Sequence, residues 1–101
     1  MAIEDTIREQ INTNSILLYM KGSPEAPQCG FSAQVAYILK QAGATYDSFN
    51  VLSDPAVWEG VKEYGEWPTI PQLYVDGKLV GGCDITMELA EKGELNKVLG
   101  V

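Results

Sequence analysis

The chain has 101 residues, 46% of them hydrophobic, which suits one compact domain over residues 1–101 and leaves no room for a second. Fourteen acidic and seven scattered basic residues give a net charge of −7, so a nucleic-acid site built on a basic patch is excluded. The chain has no histidine and two cysteines, which excludes histidine-dependent catalysis, a disulfide framework and a four-ligand metal site within one chain.

Isoleucine spacing and a short apolar run predict the first two elements. Ile3, Ile7 and Ile11 recur every four residues, which predicts the buried face of a helix that ends near residues 12–14. Ile16–Met20 is rich in strand formers, so we predict a strand buried on both faces. This longest apolar run is far shorter than the roughly 20 residues that cross a membrane. The N-terminus shows no export or transit signal, and we therefore expect a cytosolic protein.

The middle of the chain predicts a helix, a strand and another helix. Apolar residues recur at helical spacing after Cys29 and stop before Gly43, which predicts a helix with the cysteine at its start and a glycine cap. Residues 46–51 predict a strand. The sequence Ser-Asp-Pro at 53–55 supplies a capping side chain and a first-turn proline for a third helix that runs to about Tyr64.

The C-terminal part predicts a hairpin followed by two helices. Strands at 72–75 and 78–80 flank Asp-Gly at 76–77, a pair that favours the tight turn matching strand twist. Helices follow near residues 84–90 and 94–99. The element order predicts an α/β fold with a four-stranded mixed sheet flanked by helices in three layers.

Cys29 is the main candidate for chemistry. A thiol at a helix start faces unpaired backbone N–H groups and the positive end of the helix dipole, which favour the thiolate. Lys21 adds positive charge if the intervening loop folds back. The alternative is a small buried hydrophobic residue, and position alone leaves both interpretations open.

Ser32 stands where the second thiol of a Cys-x-x-Cys pair would lie. A serine hydroxyl cannot attack a mixed disulfide, so a two-cysteine cycle within this motif is excluded. Release of such a disulfide must come from an external thiol or from Cys83. The alternative role for Ser32 is an ordinary residue in the first helical turn.

Two further stretches indicate a ligand site. A cis bond between Ile70 and Pro71 would turn the preceding backbone outward to pair with an extended peptide, whereas a trans bond gives an ordinary turn. Cys83 and Asp84 follow two glycines at a helix start, where backbone N–H groups bind a carboxylate and an aspartate binds an ammonium group. The alternative for Asp84 is to cap its own helix.

Three segments together resemble the monothiol glutaredoxins of the CGFS type: Lys21–Ser32, Trp67–Gln72 and Gly81–Asp84. The similarity spans essentially the whole chain. The resemblance implies a thioredoxin fold and a glutathione site beside a single active-site cysteine.

By position, the resemblance also implies a role for each site residue. Cys29 is the implied nucleophile and cluster ligand, and Lys21 approaches glutathione and the thiolate. Ile70, ahead of a cis Pro71, pairs its backbone with glutathione. The γ-glutamyl end is held by Cys83 through its backbone and by Asp84 through its carboxylate, and Lys62 lies near the glycyl carboxylate.

Position 58 departs from the family pattern. The family commonly has an arginine one helical turn before Lys62, whereas this chain has Trp58, which cannot form an ion pair. We therefore expect weaker glutathione binding than in the family. Cys83 is often a serine in this family, so the resemblance implies no catalytic role for its thiol.

The resemblance implies a carrier of iron–sulfur clusters. A [2Fe–2S] cluster normally takes four thiolates, which one Cys29 from each of two chains and two glutathione sulfurs supply. The implied protein is a homodimer when cluster-bound, donates clusters to apo iron–sulfur proteins or pairs with BolA-type proteins, and works in the bacterial cytosol or an organelle of bacterial origin. The alternative is a glutathione-dependent thiol-disulfide oxidoreductase acting through Cys29, a reaction at which this class is poor. A third interpretation is an adaptor with an inert thiol.

Overall fold

The computed structural model describes residues 2–101. The helices are α1 (Ile3–Thr13), α2 (Gly30–Gln41), α3 (Pro55–Tyr64), α4 (Cys83–Glu91) and α5 (Leu95–Leu99). The strands are β1 (Ile16–Met20), β2 (Gly22–Ser23), β3 (Ala26–Pro27), β4 (Asp47–Asn50), β5 (Gln72–Val75) and β6 (Lys78–Gly81). None of the helices within the described residues combines the length and the apolarity that a membrane span needs.

The main sheet has four strands in the order β4-β1-β5-β6. β1 runs parallel to β4 and antiparallel to β5, and β5 pairs with β6 in an antiparallel hairpin. Asp76 and Gly77 form its turn with φ of 50° and 82°, the backbone that the Asp-Gly pair favours. The predicted mixed sheet and its hairpin are confirmed.

Two core clusters lie on opposite faces of the sheet and make the three layers. Leu18 and Met20 of β1 belong to the cluster formed with α2, α4 and α5. Leu17 and Tyr19 belong to the cluster formed with α1 and α3. Every residue of β1 is buried, which confirms the prediction of a strand buried on both faces. Burial of each large apolar side chain contributes about 1.5–3 kcal/mol.

The strand predicted at residues 46–51 is shorter by one residue at each end. At its C-terminal end, the Asn50 Oδ1 atom accepts the Leu52 N–H at 3.0 Å and thereby turns the chain into a short 3-10 helix at Val51–Ser53. The predicted caps of α3 are present: Asp54 Oδ1 accepts the Ala56 N–H at 3.1 Å, and a proline follows the aspartate.

The small hairpin of β2 and β3 was not predicted. Ser23 pairs with Ala26, and the Ser23 Oγ atom accepts the Ala26 N–H at 3.1 Å. Gly22 has φ of +91°, and a Cβ atom there would stand 2.5 Å from the Ala26 carbonyl oxygen. The hairpin therefore requires glycine at position 22, both for its backbone angle and for space.

Replacement of Gly22 by alanine is expected to destabilise the protein more than the same change at Gly43. Gly43 also has positive φ, at +76°, but a Cβ there meets no atom within 4 Å. Backbone conformation alone should cost Gly43→Ala about 1 kcal/mol, and the clash with Ala26 should bring Gly22→Ala to at least about 2 kcal/mol. Urea unfolding measures both free energies, and equal losses would show that the hairpin tolerates a side chain.

Candidate functional site

The β2–β3 hairpin joins the end of β1 to the start of α2. The Gln28 N–H donates to the Lys21 carbonyl at 2.9 Å, which closes the loop. The Gly22 N–H donates to Asn50 Oδ1 at 2.9 Å, which ties the hairpin to the end of β4. The loop therefore folds back, and Lys21 and Cys29 line the same cleft.

Cys29 occupies the N-cap position of α2 in extended backbone conformation, with φ of −151°. The backbone N–H of Ser32 lowers the pKa of the Cys29 thiol most strongly, and the Phe31 N–H and the Lys21 charge lower it further, against partial desolvation. The side chain is half-buried rather than enclosed. An accessible sulfur with a lowered pKa is a nucleophile or a metal ligand, which favours the reactive interpretation over the inert one.

Ser32 has a larger part in the site than its sequence position suggested. Its side chain is completely buried, and its Oγ atom accepts the Lys21 backbone N–H at 3.1 Å. The same hydroxyl also lowers the pKa of the Cys29 thiol, after the larger effects of the backbone N–H groups and of Lys21. Ser32 therefore ties the first turn of α2, which follows Cys29, to the end of β1. The only sequence signal was its place three residues after the N-cap cysteine.

The cleft beside Cys29 has a volume of about 400 Å³. It is formed by the end of β1, the start of α2, the segment before β5 and the start of α4. The structure brings together five of the six residues predicted for the site, and it leaves Lys62 outside the lining. The lining residues are Lys21, Cys29, Phe31, Trp67, Thr69, Ile70, Pro71, Gly82, Cys83 and Asp84.

The bond between Ile70 and Pro71 is cis, as the resemblance implied. The segment that precedes this cis bond is held in place by hydrogen bonds from Gln72, whose side chain is completely buried. Its Nε2 atom donates to the Trp67 carbonyl at 2.9 Å and to the Thr69 carbonyl at 3.3 Å. The Tyr74 hydroxyl donates to Gln72 Oε1 at 3.0 Å and completes the pairing. A buried and fully paired amide thus fixes this wall of the cleft.

The two cysteines differ in environment. Cys83 is buried, and burial raises the pKa of its thiol, with smaller contributions from Asp84 and Cys29. Its Sγ atom lies 3.6 Å from Gln34 Oε1, the geometry of a thiol that donates a hydrogen bond. Cys29 is therefore the more acidic and more accessible thiol of the two.

Asp84 lies in the first turn of α4, and Gly82 takes the N-cap position. The interpretation of Asp84 as the cap of its helix is therefore wrong. The carboxylate is exposed and has no hydrogen-bond or ion-pair partner among residues 2–101. It is free to bind a cation in the cleft, beside the backbone N–H groups at the start of α4.

Lys62 and Trp58 both lie on α3. The Lys62 ammonium forms an ion pair with Glu59 Oε1 at 3.0 Å. The Trp58 ring lies under the Lys21 ammonium, with Nζ 5.2 Å from the ring centroid. Nothing in the sequence predicts this contact, because the two residues are far apart in the chain.

Residues 16–80 match the glutaredoxin family profile. The chain belongs to the glutaredoxin family. It is 48% identical over 98% of its length to glutaredoxin 4 of Buchnera aphidicola, of which it covers 92%. It is also 48% identical over 97% of its length to monothiol glutaredoxin-S11 of rice, but it spans only 20% of that longer protein.

A buckwheat glutaredoxin solved in complex with glutathione has the same fold. It is 24% identical to this chain and superposes with a TM-score of 0.84, with 96% of this chain and 86% of the buckwheat chain covered. Together with the sheet order, this confirms the predicted thioredoxin fold.

Removal of the Ser32 hydroxyl is expected to raise the pKa of Cys29. Thiolate is the form that reacts with iodoacetamide, so Ser32→Ala should shift the pH midpoint of Cys29 alkylation upward and slow the reaction below neutral pH by about two- to tenfold. The midpoint should stay below that of an ordinary thiol, because the backbone N–H groups remain. Ser23→Ala, which removes a hydroxyl from the hairpin, is the matched control, and a midpoint unmoved in Ser32→Ala would contradict the assignment.

Proposed function

We propose that this glutaredoxin binds glutathione in the cleft beside Cys29 and carries a [2Fe–2S] cluster bridged between two copies of the chain. The observation that carries the proposal is the contrast between the two thiols. Cys29 is accessible with a lowered pKa, whereas Cys83 is buried and directed at Gln34. Each chain thus offers one thiolate, and a cluster with four thiolate ligands takes two chains and two glutathione molecules.

The cleft supports glutathione as the second source of thiolate. Glutathione has a carboxylate and an ammonium group at its γ-glutamyl end. The first backbone N–H groups of α4, at Cys83 and Asp84, suit the carboxylate, and the exposed Asp84 side chain suits the ammonium. The Ile70 backbone lines the same cleft and suits the peptide part. A glutathione bound in this way would have its sulfur next to Cys29 and Lys21.

The cleft offers less support for binding of the glycyl end of glutathione. The resemblance assigns its carboxylate to Lys62, but that ammonium is paired with Glu59 and does not line the cleft. Glutathione must therefore compete with the Glu59 carboxylate for Lys62. An exposed ion pair of this kind is worth about 0–1 kcal/mol, so the competition is a small cost. The weaker binding expected from Trp58 remains a prediction.

Ligation by glutathione makes the cluster a cargo rather than a permanent cofactor. Two of the four thiolates belong to small molecules that exchange with solution, so transfer to another protein breaks few bonds to the chain itself. We propose apo iron–sulfur proteins as recipients and BolA-type proteins as partners, on the strength of the family resemblance.

The second candidate function uses the same thiolate as an enzyme. Cys29 attacks the glutathione sulfur of a glutathionylated protein, the protein thiolate leaves, and Cys29 becomes glutathionylated. A second glutathione thiolate then attacks this disulfide, which releases glutathione disulfide and restores Cys29. The lowered pKa of Cys29 favours this function, because thiolate is the attacking form.

Anaerobic reconstitution with iron, sulfide and glutathione tests the proposal. We expect a visible chromophore on a species with twice the mass of the chain, dependent on glutathione and absent from Cys29→Ser. Cys83→Ser is the matched control and should keep the chromophore, because its thiol is not a ligand. A colourless monomer that reduces a glutathionylated substrate through Cys29 would overturn the carrier in favour of the enzyme.

A further inference from the structure

Trp58 and Lys21 make a contact that the proposed function does not explain. The Lys21 ammonium lies over the indole ring of Trp58, 5.2 Å from its centroid. Trp58 itself is anchored, because its ring packs against the core cluster on the α1 and α3 side of the sheet. The indole is therefore a fixed surface on which the end of a flexible lysine side chain is held.

The partner of Lys21 differs in kind from the partners of other basic residues. Arg8, Lys62 and Lys92 form ion pairs with carboxylates that lie three or four residues away in the chain. Lys21 has no ion pair among residues 2–101, and its contact is an uncharged ring. A carboxylate partner would cancel the ammonium charge, whereas an aromatic face attracts the cation through its quadrupole and leaves the charge in place.

Lys21 is held at its backbone as well as at its ammonium. Its backbone N–H donates to Ser32 Oγ at 3.1 Å, and its carbonyl accepts the Gln28 N–H at 2.9 Å. The remaining freedom is in the side chain, which Trp58 restricts at the far end. Lys21 lines the cleft that contains Cys29, and its positive charge lowers the pKa of that thiol.

We propose that Trp58 is a positioning residue that holds the Lys21 ammonium, unneutralised, at the edge of the cleft, where it faces the Cys29 sulfur and an anionic ligand. The ligand part rests on the proposed glutathione site, and the Cys29 part does not. Trp58 acts through Lys21 and touches neither the sulfur nor the ligand. The effect of Trp58 on Lys21 is separate from the weaker glutathione binding that we expect because Trp58 cannot form an ion pair.

A double-mutant cycle on Cys29 alkylation tests the proposal without glutathione. Lys21→Met removes the charge and keeps the length of the stem, and Trp58→Leu removes the aromatic face and keeps an apolar side chain. Each should raise the pH midpoint of iodoacetamide reaction at Cys29, with Lys21→Met giving the larger shift. The double variant should shift no further than Lys21→Met alone, because Trp58 acts only through Lys21.

Two further variants separate positioning from general loosening of α3. Trp58→Phe keeps a ring face, so it should restore part of the midpoint shift lost in Trp58→Leu. Tyr64→Leu removes another half-buried aromatic ring from the same helix, away from Lys21, and should leave the midpoint unchanged. Additive shifts in the double variant, or equal shifts in Trp58→Leu and Tyr64→Leu, would overturn the proposal.

A measurement on the unmodified protein covers the case in which Trp58→Leu does not fold. Protons held over an indole face are shifted upfield by its ring current, so the ε-methylene protons of Lys21 should resonate upfield of those of Lys78. If the ε-methylene protons of Lys21 have the same chemical shifts as those of Lys78, the proposal is overturned.

A titration with glutathione tests the part of the proposal that concerns the ligand. Trp58→Leu should weaken binding, by less than Lys21→Met does, because the lysine charge remains. If the unmodified protein binds no glutathione, the proposed function fails, while the alkylation cycle still decides the role of Trp58. Unchanged binding in Trp58→Leu beside weakened binding in Lys21→Met would contradict the ligand part of the proposal.

Discussion

The site depends on the position of Cys29 at the N-cap of α2, where the backbone N–H groups of Phe31 and Ser32 lower the pKa of its thiol. Helix starts leave these donors unpaired, so an anion at the N-cap position is stabilised by both hydrogen bonding and the helix dipole. Cys29 occupies that position only because the hairpin of β2 and β3 returns the chain from β1 to α2. Lys21 strengthens the effect because the same closure brings it to the cleft, and Ser32 strengthens it from the first turn of α2.

The rest of the cleft is held by buried polar pairing rather than by apolar packing alone. Gln72 binds two backbone carbonyls of the segment before β5 and accepts the Tyr74 hydroxyl. Gly65 makes this possible, because a Cβ atom at that position would collide with the Tyr74 hydroxyl. The segment at Ile70 is therefore rigid, and it lines the cleft together with the start of α4.

The sequence predicted most of the fold because its signals are local. The isoleucine spacing of α1, the Asp-Pro start of α3 and the Asp-Gly turn of β5 and β6 each act within a few residues. The β2–β3 hairpin was missed although its Ser-Pro turn and glycine are turn signals, because strands of two residues have no periodicity to detect. The early end of β4 was missed because the side chain of Asn50 decides it.

Part of the site was also predicted, but from motifs rather than from local folding signals. Cys29, Ile70, Cys83 and Asp84 were identified from motifs, and the structure brings all four to one cleft. Contacts between distant segments could not be predicted from the sequence. No local sequence pattern indicates that the Lys21 ammonium lies over a ring on α3. The role of Ser32 was underestimated for the same reason, because its hydroxyl binds the backbone of Lys21, just after β1.

The most direct test of the glutathione cleft is a titration of the protein with glutathione followed by backbone amide NMR. The account predicts that the shifts concentrate at Cys83 and Asp84, at Ile70 and around Cys29, and that Asp84→Asn weakens the binding. It is contradicted if these amides do not move, or if the shifts centre on the groove of about 520 Å³ between the β2–β3 turn and α2, which Tyr37 and Tyr46 line.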